Sequence, residues 1–159
     1  ANYEIDSSIF PCSREHGGIR YNYYQPHRIG ALQGNIYEFP ISTATLLGQR
    51  YCFSGGGYFR LFPYSWIASQ IRKANQQGYP VLIYIHPRDI DPDQPRMAMN
   101  WRRRFKSYYG LAQTERKLIR LFKDFEFTTL SEFRKDSSNR HFFEHDREQP
   151  FTNHPTTIR

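Results

Sequence analysis

From Tyr79 to Arg88 the chain reads Tyr-Pro-Val-Leu-Ile-Tyr-Ile-His-Pro-Arg. Val81 to Ile85 are all apolar, mostly β-branched or aromatic, and follow a Gly78-Tyr79-Pro80 breaker. So short and apolar a run predicts a strand buried on both faces. His86-Pro87 ends it, since proline cannot continue a ladder, and the imidazole is expected at the carboxyl end of that strand. In open parallel sheets and α/β barrels that rim is where ligands bind. The plain alternative is a histidine that merely closes a strand.

A buried strand needs layers around it, and 159 residues suffice for one domain with a sizeable core. Aromatic residues make up 17% of the chain, which indicates a folded domain. A mean hydropathy of -0.76 assigns its loops and one end to water. The formal charge of +7 favours an anionic partner, but most of it is spread along the chain. Only Trp101-Arg102-Arg103-Arg104-Phe105-Lys106 is dense. Cys12 and Cys52 make neither a disulfide framework nor a four-ligand zinc site. No apolar run approaches the roughly 20 residues of a membrane helix, and no signal-peptide pattern opens the chain.

Strand-like segments are expected at Tyr3–Phe10, Ile36–Ser42, Val81–Ile85 and Glu126–Leu130. Between the first two, the glycines and prolines of residues 12–35 predict an ordered loop. Helices are expected from Pro63 to just before Gly78, at Asn100–Tyr109, and at Thr114–Phe125 with Thr114 as its cap. In the last, Leu118, Ile119, Leu121, Phe122 and Phe125 form one apolar face. This alternation predicts an α/β fold, a mostly parallel sheet with covering helices. Residues 134–159, charged and without period, are expected to be a disordered polar tail.

Several segments, in this order, resemble the polysaccharide deacetylase family, the NodB-homology carbohydrate esterases. The likeness is greatest to the subfamily found with exopolysaccharide gene clusters, which carries a carboxyl-terminal extension. The resembling pieces are Tyr-Glu-Ile-Asp-Ser-Ser-Ile-Phe-Pro from Tyr3, Tyr-Glu-Phe-Pro-Ile-Ser-Thr-Ala-Thr-Leu-Leu-Gly from Tyr37, Gly-Gly-Gly-Tyr-Phe-Arg-Leu-Phe-Pro from Gly55, Tyr-Ile-His-Pro-Arg-Asp-Ile-Asp-Pro-Asp-Gln-Pro-Arg from Tyr84, Trp101 to Tyr108, and Phe127 to Phe133. They span residues 3–133, so the resemblance implies that residues 1–133 are the C-terminal portion of a distorted (β/α) deacetylase barrel.

The resemblance also implies hydrolysis of N-acetyl groups on a carbohydrate polymer with a divalent metal, usually zinc. Its last motif, a buried strand ending in histidine, falls on His86, which would protonate the departing amine. Asp6 stands where the family often has an acidic residue able to orient that histidine; an Asx-turn side chain is the alternative. Gly55, Gly56, Gly57, Tyr58 and Arg60 could line a sugar groove, or the glycines could simply permit tight packing. The family's earlier motifs, which supply the catalytic base and the metal ligands, do not occur here. The expected partners are therefore an N-acetylated polysaccharide and the missing N-terminal half of the same barrel, and this stretch alone is expected to be inactive. Neither nucleic acid nor a membrane span is expected.

Two rivals come from other classes. His141-Phe142-Phe143-Glu144-His145 fits the inverted zinc-protease pattern, which needs a helix and a third ligand. The Arg102–Lys106 cluster, with its interleaved aromatics, could bind nucleic acid or an anionic glycan. Its simpler reading is a helix with Trp101, Phe105 and Tyr108 in the core and a solvated basic face. His16-Gly17-Gly18 is read as an ordinary loop, since no nucleophile-elbow sequence accompanies it.

Overall fold

Ile36, Tyr37 and Glu38 lie on a strand long enough to hold neighbours on both sides. The computed structural model describes residues 3–12, 23–31, 34–144 and 146–147. The chain divides into two compact units, Ala1–Pro40 with Thr128–Arg159, and Ile41–Phe127.

In the first unit β1 (Ile5–Asp6), β2 (His27–Ala31), β3 (Gly34–Glu38) and β6 (Asp146–Arg147) form one sheet in the order β1-β3-β2-β6. β1 runs parallel to β3, β2 antiparallel to β3, and β6 parallel to β2. Register places Asp6 opposite Glu38, and Glu38 opposite His27. Ile9 and Ile29 form a small apolar contact. Thr129 caps α6 (Leu130–Lys135), its hydroxyl accepting from Glu132 N while Glu132 accepts from Thr129 N. A 3-10 turn, Ser137–Phe143, follows and brings buried Phe143 edge-on to Tyr37. Arg134 lies over the Tyr37 ring and pairs with Glu4 at 2.8 Å.

The expected tail boundary at 134 therefore falls inside ordered structure. Phe142, packed on Phe133, and Phe143, packed on Tyr37 and Phe39, supply apolar surface that a polarity average over residues 134–159 conceals. The rest of that stretch lies outside the described residues, as do residues 13–22 and 32–33 of the expected loop and its His16-Gly17-Gly18. Part of that loop is the strand β2.

In the second unit β4 (Ala44–Leu46) and β5 (Gln49–Tyr51) make an antiparallel hairpin. Five helices follow: α1 (Gly56–Leu61), α2 (Tyr64–Gln76), α3 (Pro87–Ile90), α4 (Trp101–Tyr108) and α5 (Leu111–Asp124). The core joins Phe53, Phe59, Ile67, Ala68, Ile71 and Leu121, with Trp66, Val81, Ile83, Ile85, Leu118 and Phe125 packed on it. α2 starts after Pro63 and stops before Gly78, as its punctuation predicts. Asn100 caps α4 by accepting from Arg103 N.

Five expectations change. Val81–Ile85 is not a strand of a sheet: Tyr84 alone bridges Gly55, in parallel, and Leu82 N donates to Ser42 Oγ. Val81, Ile83 and Ile85 face the core while Tyr84 is 42% exposed, so the run is covered on one side only. Glu126–Thr128 likewise joins no ladder among the described residues, and Thr129 starts a helix instead. The strand expected at Ile36–Ser42 leaves the ladder after Glu38. α5 begins three residues before Thr114, because Gly110 takes a left-handed conformation (φ 74) that turns the chain into it. On α5, Leu118, Leu121 and Phe125 meet the core, whereas Ile119 and Phe122 are exposed.

The described residues thus form helices and two small sheets of mixed direction, with no closed barrel among them. A Cβ at Gly110 would stand 2.8 Å from the Arg60 carbonyl oxygen, so neither the conformation nor the space admits a side chain. Gly110→Ala is expected to lower stability by about 1–3 kcal/mol, read as a shift in the urea midpoint without change in slope.

Candidate functional site

His86 closes the Val81–Ile85 segment in extended backbone and serves as the N-cap position of α3, where Pro87 fits because its missing N–H would have no helical partner. Three residues on, Asp89 folds back: its Oδ2 accepts from His86 N at 3.1 Å and lies 3.5 Å from His86 Nδ1. At the other edge of the ring, Nε2 is 2.8 Å from the Tyr84 hydroxyl, and the two rings meet edge-on. The imidazole is half exposed and the Asp89 carboxylate only 4% exposed. A buried carboxylate therefore faces one nitrogen while the other is turned toward a phenol and water.

Asp89 is held in turn by Arg60, whose Nε stands 3.1 Å from Oδ1 in a pair that is 95% or more buried on both sides. The rest of the Arg60 guanidinium reaches the end of α4. Nη1 donates to the carbonyls of Ser107 and Tyr109, and Nη2 to that of Lys106. These are the last carbonyls of α4, which the helix itself leaves without donors. Burial pulls the Arg60 pKa below its ordinary value, opposed by the Asp89 charge. Lys117, also lowered by burial, gives its ammonium to the carbonyls of Phe59, Arg60 and Phe62 at the end of α1.

The glycine run serves this arrangement. At Gly55 a Cβ would lie 2.6 Å from the Tyr84 carbonyl oxygen, which accepts from Gly56 N, so the bridge to the His86 segment requires glycine there. Gly56 and Gly57 face Asp89 and Arg60 respectively. Tyr58 stacks on Phe62 and meets Tyr51 edge-on. Of the residues expected to line a sugar groove, the glycines thus make close packing and Arg60 is an internal anchor with its donors turned inward.

Asp6 belongs to the first unit and His86 to the second. Asp6 Oδ1 accepts from Ser7 N and Oδ2 from Ser8 Oγ, so both oxygens are used locally, though not through the amide two residues on that defines an Asx turn. Within its own unit the carboxylate brought to His86 is Asp89, which the spacing His-Pro-x-Asp of a capping box could have disclosed. Glu38, beside Asp6 in the sheet, was also unforeseen. It is fully buried; Oε1 accepts from Ile9 N at 3.1 Å, and Oε2 has no hydrogen-bond partner among the described residues. Burial, with Asp6 adding repulsion, pushes its pKa up to about 7.

Among the described residues no three His, Cys, Asp or Glu side chains gather as a metal site, so these residues by themselves do not fit the divalent metal that the resemblance implies. Nor is any described helix long and apolar enough to cross a membrane. Of the zinc-protease pattern, His141 lies on the 3-10 turn with Nδ1 near the Ser138 carbonyl, and His145 falls outside the described residues. A family model described as a domain of unknown function (DUF3473) matches residues 7–135. The chain belongs to that family. No curated protein and no solved structure matches it.

Removing one partner of a buried ion pair leaves the other charge stranded. Arg60→Ala is expected to cost about 3–5 kcal/mol in urea unfolding, against less than about 0.5 kcal/mol for exposed Arg102→Ala. For Glu38 the raised pKa means that the folded state keeps a proton the unfolded chain loses. Its contribution is therefore full below about pH 4.5 and is lost as pH rises through about 7. Melting temperatures should fall between pH 5 and pH 8 in the wild type, and Glu38→Gln should remove that part of the fall.

Proposed function

We propose that this chain is part of a polysaccharide deacetylase, a hydrolase of N-acetyl groups on a carbohydrate polymer, in which His86 hands a proton to the departing amine. One observation carries the reading: the half-exposed imidazole lies between the buried Asp89 carboxylate and the Tyr84 hydroxyl. With Nδ1–H toward Asp89, Nε2 holds the lone pair that accepts from Tyr84. Protonation then places a hydrogen on Nε2, the nitrogen not turned to the buried carboxylate, from which it can be given up. Asp89 is a positioning residue that orients the ring and fixes which nitrogen carries hydrogen; Arg60 fixes Asp89.

The family match agrees in extent with the resemblance: residues 7–135 against residues 3–133. A distorted (β/α) barrel completed by other sequence, with the divalent metal held there, is part of the same proposal. So is the N-acetylated polymer as substrate. Asp6 remains a candidate for a charge-stabilising role in that larger assembly, with its local hydrogen bonds as the competing use.

In a longer polypeptide carrying this chain, His86→Ala should lower kcat for acetate release by about 10²-fold or more with folding intact. Asp89→Asn should lower kcat with KM nearly unchanged, a split that a purely structural role would not produce. Wild-type turnover in His86→Ala, or upstream sequence without an Asp-Asp pair and a His-x-x-x-His, would remove the hydrolase reading.

A further inference from the structure

The sequence reads α4 most simply as a half-buried helix, yet none of its residues is buried. Trp101 is 74% exposed and Phe105 49%, and Tyr109 follows one position past the end. Spaced four apart, these rings share a face and advance about 6 Å per step. Arg102 and Arg104 flank that row and Arg103 lies on the far side of the helix, and none of the three joins an ion pair with a described residue. Arg102 lies over the Trp101 ring, 5.4 Å from its centroid. From Gln94 to Thr114 the chain contains no acidic residue. Isolated exposed apolar side chains are ordinary, but a row of rings flanked by unneutralised guanidinium groups is a surface set for a flat, negatively charged partner.

The same helix is tied to the candidate site. Arg60 holds the carbonyls of Lys106, Ser107 and Tyr109 with Nη1 and Nη2, and with Nε it holds Asp89, which faces His86. Two bonded neighbours of a single buried guanidinium therefore set the distance between the C-terminal end of α4 and the imidazole.

We propose that the exposed face of α4 formed by Trp101 and Phe105, with Arg102 and Arg104 on its two flanks, holds an anionic polysaccharide through its carboxylates and the apolar faces of its sugar rings. This rests on the deacetylase reading, and it adds the substrate class: an acidic polymer bearing uronic-acid carboxylates. Arginine outnumbers lysine here, and the forked guanidinium matches a carboxylate with two parallel bonds. Single-stranded nucleic acid would need a charged groove along its backbone, which one convex helix of eight residues does not make. The cations give affinity and its salt dependence, while the rings hold the sugar plane and distinguish a glycan from a bare polyanion.

The test uses this chain with oligogalacturonate as the acidic probe, a neutral chitooligosaccharide and single-stranded oligonucleotide of equal charge as comparators, and calorimetry as the readout. Oligogalacturonate should bind, with affinity falling about tenfold or more as salt is raised from 50 to 500 mM. The double variant Trp101→Ala/Phe105→Ala should lose about tenfold at unchanged salt dependence. Arg102→Ala/Arg104→Ala should lose more and flatten the salt dependence. All four side chains are exposed, so melting temperatures should stay near wild type and serve as the folding control. Absence of oligogalacturonate binding, equal binding of the neutral glycan, tighter binding of the oligonucleotide, or variants that bind like wild type would each overturn the proposal. Deacetylation by the longer polypeptide without such binding would sink this inference alone. Binding without any acetate release would sink the deacetylase reading and leave α4 as a glycan-binding face.

Discussion

A guanidinium buried beside a carboxylate is the constraint on which the second unit depends. Water is absent from around Arg60 and Asp89, so each charge is tolerable only while the other stays in place. Such a pair contributes less to net stability than to uniqueness. An apolar substitute could fill the space, but it could not specify which carbonyls end α4 or which way Asp89 points. Three helices meet their positions through it: α1 supplies Arg60, α3 supplies Asp89, and α4 ends on the guanidinium.

That constraint explains why a short, irregular segment can carry a well-placed histidine. Val81–Ile85 has one bridge to Gly55 rather than a full ladder, and backbone pairing alone would leave His86 loosely held. The order is restored from the side-chain end: Asp89 takes the His86 amide, and the alternate residues Val81, Ile83 and Ile85 lock into the core. The glycines at 55 to 57 let α1 approach closely enough for this to happen. The first unit solves a different problem, closing a small sheet over Phe39, Phe133 and Phe143 while leaving Glu38 without full hydrogen bonding.

Much of this was legible in the residues. Helix ends were, since proline at 63, asparagine at 100 and glycine at 78 act through local backbone chemistry that needs no neighbours. The break at His86-Pro87 was legible for the same reason, since Pro87 opens α3 there. Pairing partners were not, because Val81–Ile85 and Glu126–Leu130 have the composition of strands whether or not a ladder exists beside them. Nor was the fate of Arg60, whose exposure depends on a helix more than forty positions away.

The sequence by itself determined where helices start and stop, which residues are apolar enough to make a core, and that a histidine stands at a proline break. Only the tertiary structure decided that this histidine faces Asp89 and Tyr84, that the ring-and-arginine helix lies on the surface, and that residues just past Phe133 fold back onto a sheet. The physical reason is range. Capping and backbone conformation are settled within a few residues, whereas burial, ion pairing and hydrogen bonding of a side chain depend on whichever distant segment the core brings beside it.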